Sequence, residues 1–445
     1  MSILLTGLRT AKRLRDDFAW MLAGNVIYSA CQWGIVIALA KLGTARQVGE
    51  YALGVAVSAP IAVFANLQLR ALVASEVHDR FTFGHYLAFR LASLGAALAV
   101  ITGVAGYSQP DWSLRAIIIL TGFAQALEAL SETYYGLMQK CGRMDRVSMS
   151  LLLRGPFPLA ALCAAMYRTH SVILAVVALL MARLVILFAW DMRLGFARAA
   201  LGSEQALAAT RIRWQASTIF SLLRLALPLG VIAMLLSLYS NLPRYFLEGH
   251  SGSAELGIFS ALASLLTAGN LVVSAFGQSV FQPVARACAD ADRAKFRAYS
   301  LVALLLGLGV GVAFVVGASL FGGAILAHVF RPEYAEHTGA LVRLTFAGAV
   351  LFVGSSLGYV ITGARRLGPQ IPVLILSGLA SAAVSAWSIP AKGLNGAADA
   401  LLAAGLVQLA GVSRILWRID RDLRVCQPPR RRPLSEEASS AVALC

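Results

Sequence analysis

Charge is scarce in this chain of 445 residues. Asp, Glu, Lys and Arg together make up 13%, about half the share of an ordinary soluble protein. So few charges cannot cover a water-exposed surface. Intrinsic disorder is excluded as well, because 58% of residues are hydrophobic and the mean hydropathy is +0.73. The six cysteines (Cys31, Cys141, Cys163, Cys288, Cys426 and Cys445) include no CxxC pair, so no disulfide framework is expected. The six histidines are scattered without an HExxH pattern, and no metal site is predicted. A GxxxxGK[ST] phosphate loop is missing, which argues against ATP hydrolysis by this chain. These absences leave an all-α polytopic membrane protein.

The formal net charge is +16. A nucleic-acid partner would need the basic residues on one face with aromatics between them. They fall instead in short clusters between apolar runs, which is a signal of membrane topology. Runs of about 20 apolar residues mark spans, and twelve are found. The first six are Phe18–Ala40, Tyr51–Gln68, Tyr86–Tyr107, Leu114–Met138, Val147–Tyr167 and Ser171–Trp190. The second six are Leu223–Phe246, Leu256–Val280, Tyr299–Val329, Gly339–Gly363, Ile371–Ile389 and Gly396–Trp417. The expected organisation is a first lobe over 1–190, a cytoplasmic linker over 191–222, a second lobe over 223–420 and a disordered tail over 421–445. With the N-terminus inside, 27 of the 38 Lys and Arg lie in cytoplasmic segments, Arg90 among them, and 7 lie in outer loops. The positive-inside bias therefore predicts two cytoplasmic termini. The first apolar run is too long for a signal peptide and lacks a small-residue cleavage site.

Four arginines (Arg154, Arg183, Arg343 and Arg414) lie within spans, where a charge costs at least about 2.5–3.5 kcal/mol and usually faces a cavity or a partner. In the fourth span Thr121, Gln125, Glu128, Glu132 and Tyr135 recur on one helical face. Cavity lining and a buried polar stripe between helices both fit that pattern. Glu128 and Glu132 stand one turn apart and repel each other, so they need a cation or water nearby. Arg154, just before the kink expected at Gly155-Pro156, and Arg183 are candidate partners. The first span offers Asn25, Ser29 and Gln32, and the seventh offers Ser237, Asn241 and Arg244. Arg343 could line the outer cavity or reach headgroups, with Asp399 to balance it. The candidate substrate-binding set is Asn25, Gln32, Gln125, Glu128, Glu132, Arg154, Arg183, Asn241, Arg244 and Arg343; no catalytic residue and no cofactor are expected. Gly354-Ser355-Ser356-Leu357-Gly358 matches GxSxG but lies inside a span with no strand before it, so it is not read as a nucleophile elbow.

The two halves resemble each other weakly. Gly49-Glu50-Tyr51 opens the second span, and Leu256-Gly257-Ile258-Phe259 opens the eighth, which suggests a parallel duplication. The stretch from Leu227-Pro228-Leu229-Gly230 through Arg244-Tyr245-Phe246-Leu247-Glu248 to Glu255-Leu256-Gly257-Ile258-Phe259 resembles a known family. So do Ala23-Gly24-Asn25, Phe330-Arg331-Pro332-Glu333-Tyr334 and Ile389-Pro390-Ala391-Lys392-Gly393. The family is the polysaccharide-transporter branch, with Wzx-type flippases, of the multidrug/oligosaccharidyl-lipid/polysaccharide (MOP) exporter superfamily. The resemblance spans nearly the whole chain, through loose structural motifs. It implies two six-helix lobes around a central cavity, alternating access, and a polyprenyl-pyrophosphate-linked oligosaccharide as cargo in a bacterial inner membrane. A polysaccharide polymerase or copolymerase would be a further partner. Two other functions are weighed against it: a cation-coupled multidrug exporter of the same superfamily, and a membrane-embedded glycan polymerase or ligase.

Overall fold

Hydrocarbon offers nothing to satisfy a backbone N–H or C=O, so an apolar chain of this kind is confined to helices. The computed structural model describes residues 2–75, 81–193 and 212–425, with side chains at all of these except 2–19, 71, 74, 75 and 425. The expected linker core, 194–211, and the tail with Cys426, Arg430–Arg432 and Cys445 lie outside the described residues. In chain order the helices are α1 (Ser2–Leu42), α2 (Ala45–Asn66), α3 (Leu69–Ser75), α4 (Phe83–Ser108), α5 (Trp112–Lys140), α6 (Met144–Arg154), α7 (Pro156–Thr169), α8 (Val172–Ile186), α9 (Ala216–Ala289), α10 (Arg293–Val329), α11 (Thr338–Gly363), α12 (Gln370–Lys392) and α13 (Leu394–Val425). A π-turn, Leu187–Met192, prolongs α8, and a 3-10 turn, Pro332–His337, leads into α11.

The helix ends follow from local chemistry. Thr44 and Gln47 form a capping box at the start of α2, with Gln47 N–H donating to Thr44 Oγ1 at 3.3 Å and Thr44 N–H donating to Gln47 Oε1 at 2.9 Å. Asp111 caps α5 and Asp292 caps α10. The backbone N–H of Lys295 holds the Asp292 carboxyl below the usual carboxylate range. α6 and α7 form one crossing broken at Gly155-Pro156, where the proline supplies no N–H.

Among the described residues eleven helical stretches are long and apolar enough to cross a bilayer. The longest, α9, has 74 residues, which would reach about 110 Å if straight, against roughly 30 Å of hydrocarbon. Gly252 breaks it, with φ 80° and ψ 177°, a conformation that favours glycine. The arms 216–251 and 253–289 are therefore two crossings, making twelve among the described residues.

Both arms pack on α2. A Cβ added at Gly230 would lie 2.4 Å from Leu67 Cδ2, at one end of α2. At the other end, a Cβ at Gly49 would lie 1.7 Å from the Ser253 carbonyl oxygen, and one at Gly257 would lie 1.8 Å from that of Ala45. The first arm thus returns along α2, and the second arm starts where α2 starts. Ala45/Gly49 and Ser253/Gly257 are small residues four apart, each pair seated against the other, so the helices touch backbone to backbone. Gly49 and Gly257 belong to the segments by which the two halves resemble each other.

The core shows where the halves join. One apolar cluster holds Leu39, Leu162, Met166 and Val176 from the first half together with Phe259, Leu326, Leu341 and Ile389 from the second. All of these lie toward the end that the charge bias predicts to be outer. Toward the other end the clusters are separate. Leu67, Phe83 and Tyr134 form one, joined from α9 by Ile219, Leu222, Leu223 and Ala226, and Val284, Phe296 and Ile415 belong to another. On the α1 side the joining bonds are likewise outer. Trp33 Nε1–H donates to Ser264 Oγ at 3.1 Å, and Arg331 Nη2 donates to the Lys41 carbonyl at 2.7 Å. The opposite half of α1 leaves Trp20, Leu22, Val26 and Ile27 exposed.

Candidate functional site

α5 is the spine of the polar region, because its stripe of Thr121, Gln125 and Glu128 faces α1, α2 and α8. Between these helices is a pocket of 230 Å³ lined by Tyr28, Gln32, Tyr51, Gln125, Glu128 and Arg183, among others. Four of the ten residues predicted from sequence, Gln32, Gln125, Glu128 and Arg183, meet here. Arg183 Nη1 lies 3.0 Å from Glu128 Oε2 and donates to the Ala124 carbonyl at 2.9 Å. Tyr28 O–H donates to Glu128 Oε1, and Gln32 Nε2 donates to Tyr28 Oη at 2.6 Å. Gln125 Nε2 donates to Ser58 Oγ. Glu128 keeps 31% of its side chain exposed, whereas Arg183 keeps 6%. The buried Nε of Arg183 has no hydrogen-bond partner. The pocket thus presents a half-exposed carboxylate paired with a largely buried guanidinium, a pairing an incoming anion could exchange with.

Arg154 sits deeper and does not line the pocket. Its Nη2 donates to the Leu127 carbonyl at 2.9 Å, and its Nη1 reaches Tyr135 Oη at 3.5 Å. Tyr135 Oη and Ser150 Oγ are 2.7 Å apart, and Ser150 O–H donates to Asp191 Oδ1. Asp191 was expected in the linker, but it closes this buried chain from the π-turn after α8 and has no exposed surface. The sixth crossing therefore runs past Trp190.

Glu132 does not join Glu128. It accepts from Asn66 Nδ2 at 2.6 Å, while Asn66 Oδ1 accepts from Arg90 Nη2 at 2.8 Å. Arg90 also donates from Nε to Thr133 Oγ1 at 2.8 Å and from Nη1 to the Ala65 carbonyl at 3.1 Å. Arg90 is fully buried, not solvated as its place among the loop charges implied. The two glutamates avoid mutual repulsion by taking different cationic neighbours. Along the polar stripe the carboxylates Glu128, Glu132 and Asp191 thus stand among the three buried arginines Arg90, Arg154 and Arg183.

The other predicted residues stand elsewhere. Asn25 donates from Nδ2 to its own helix at the Met21 carbonyl, 2.8 Å away. Asn241 bonds the Ser237 carbonyl at 2.8 Å and accepts from Arg244 Nη1, so these two remain with each other on α9. Arg343 is exposed and borders a separate 410 Å³ pocket with Glu255, Glu336, His337 and Lys392. Asp399 does not balance Arg343; it lies 3.1 Å from Lys392 Nζ. Tyr28, Tyr51, Asn66, Arg90 and Asp191 were absent from the predicted set. For Tyr28 a signal existed, since it lies one turn before Gln32 on the same face of α1. No group of three or more His, Cys, Asp or Glu able to hold a metal occurs among the described residues.

No family model matches the chain. In sequence it is similar to the capsular polysaccharide biosynthesis protein CapF of Staphylococcus aureus, 23% identical over 376 residues that cover 81% of this chain and 89% of that one. In structure it is similar to the inward-facing conformation of a multidrug resistance MATE family transporter of the MOP superfamily. That match has a TM-score of 0.73 at 12% identity and covers 92% of this chain and all of the other. The lipid II flippase MurJ in its inward closed conformation matches with a TM-score of 0.65 at 10% identity, covering 91% of this chain and 90% of MurJ. The chain is a multi-pass, all-α membrane protein with the fold of the MOP exporter superfamily, and its sequence resemblance to the polysaccharide branch of that superfamily is matched by a relative from capsular polysaccharide synthesis.

Proposed function

We propose that the chain is a flippase. It carries a polyprenyl-pyrophosphate-linked oligosaccharide from the inner to the outer leaflet of a bacterial inner membrane by alternating access, with both termini cytoplasmic. The observation that carries this reading is the half-open Arg183–Glu128 pair, kept inside a span where isolated charge is expensive. A pyrophosphate would take the guanidinium from Glu128, and its fixed charge is what lipid excludes. A pocket of 230 Å³ suits a phosphate-sized group, and the sugars would occupy the cleft between the halves. A seam that is apolar and shared at one end, with mostly separate clusters at the other, supports a passage opening toward the cytoplasm. The polyprenyl tail would stay in lipid beside the exposed half of α1. A headgroup with about two negative charges would gain roughly 4–5 kcal/mol from an inside-negative potential near 100 mV, at about 2.3 kcal/mol per charge. Such a cycle needs no ATP.

Among the described residues the connections at the outer ends are short, as at 43–44, 109–111, 170–171 and 393, which leaves no outer domain for a polymerase or ligase. The exporter alternative would use Glu128 as a cation carrier. A deletion strain separates the readings. Lipid-linked repeat units should accumulate on the inner leaflet, and the wild-type chain should restore export while Arg183→Ala and Glu128→Ala at equal protein levels restore much less. Normal export in the deletion strain refutes the flippase, and loss of drug resistance alone favours the exporter.

A further inference from the structure

α10, α11 and α13 enclose a groove of 670 Å³ lined by Leu301, Leu304, Leu308, Val350, Val353 and Leu409, with Ser300, Ser413 and Leu416 at one end. None of its lining residues comes from α9 or from the first half. The groove therefore lies away from the seam between the halves and from the Arg183 pocket. One helical turn beyond Ser300 and Leu416, at the basic end of the bundle, Arg297 meets Asp420. Arg297 donates to the carboxylate from Nε at 2.7 Å and from Nη2 at 3.0 Å. Arg293 does the same at 2.8 and 2.7 Å. One acid facing two arginines leaves a positive mouth, and Arg297 is 58% exposed. On the adjoining face of α13 Trp417 is exposed and carries Arg421 over its ring, 5.3 Å from the centroid. A tryptophan with arginines about it marks the level of the headgroups.

We propose that this groove is a binding site for an anionic phospholipid of the cytoplasmic leaflet, with an acyl chain along the leucines and the phosphate at Arg297. An apolar lining admits hydrocarbon, the positive mouth selects a negative headgroup, and the distance from the seam separates the site from the cargo path. The leaflet follows from the proposed orientation; the site itself does not depend on the flippase reading. Each arginine near a membrane surface favours an anionic lipid by about fivefold.

The test is native mass spectrometry of the full chain in mild detergent, titrated with phosphatidylglycerol and phosphatidylcholine of identical chains. The wild type should retain phosphatidylglycerol at least about fivefold better. Arg297→Gln should lose most of that preference without changing phosphatidylcholine binding, while Arg293 continues to hold Asp420. Leu304→Trp, which fills the groove, should weaken both lipids. Equal retention of the two lipids by the wild type overturns the proposal, and that comparison stands even if a variant fails to fold. An unchanged preference in Arg297→Gln at wild-type melting temperature also overturns it. So does a polyprenyl phosphate whose retention falls in Leu304→Trp and Arg297→Gln more than that of phosphatidylglycerol, which would give the groove to cargo.

Discussion

The backbone-to-backbone crossing at Gly49 and Gly257 can be tested with one methyl group. In Gly257→Ala the new Cβ would lie 1.8 Å from the Ala45 carbonyl oxygen and 2.9 Å from the Gly49 nitrogen, where ordinary contact begins at 3.4 Å. The start of α2 and the second arm of α9 must therefore separate by about 1.6 Å. No flexible side chain can absorb that shift, because both obstructing atoms are backbone. Overpacking of this kind costs about 1–3 kcal/mol. It falls only on the state in which the outer ends touch, so the equilibrium should move toward outer opening by about 5- to 150-fold. Spin labels at Arg168→Cys and His328→Cys, in a background without native cysteines, report the outer separation of the halves. Gly257→Ala should transfer population from the short to the long distance, and Gly49→Ala should do the same. A distance distribution and melting temperature equal to those of the parent protein would show that the crossing carries no such energy.

Other outcomes follow from the buried charges and from the α1 seam. Arg183→Leu should destabilise the protein by about 3–5 kcal/mol because Glu128 loses its cation, whereas Arg183→Leu with Glu128→Leu should recover most of that loss; denaturation in detergent measures both, and equal losses would refute the pairing. Arg90→Ala should cost a similar about 3–5 kcal/mol, since Thr133, Asn66 and the Ala65 carbonyl lose one shared donor; Arg90→Lys should rescue little, because an ammonium lacks the planar fork, and near-wild-type melting of either variant would count against the network. Trp33→Phe removes the bond to Ser264, worth about 0.6 kcal/mol in membrane helices, so it should shift the same spin-label populations in the same direction by about threefold.

Much of the site was visible in the chain because a helical face is a short-range property. Spacings of three and four put Gln125 and Glu128 together, and the apolar neighbours of Arg183 marked it as deep. What lay hidden was partnership over long separations. Nothing local pairs Asn66 with Glu132 or Ser150 with Asp191. Arg90 and Asp191 sit at the margins of apolar runs, where a count of loop charges treats any ionised residue as solvated, yet tertiary packing encloses both. Arg343 is exposed beside its own pocket, a placement that depth along a helix does not reveal. The turn at Gly252 was legible only in part; the change from one span to the next was expected, but a single residue accomplishes it.

The crossing of α2 with α9 has a further consequence. Each half offers its neighbour a small residue followed four positions on by glycine, Ala45/Gly49 against Ser253/Gly257, and such a reciprocal contact resembles a self-complementary patch under two-fold rotation. Two copies of the front six helices would possess everything that contact demands.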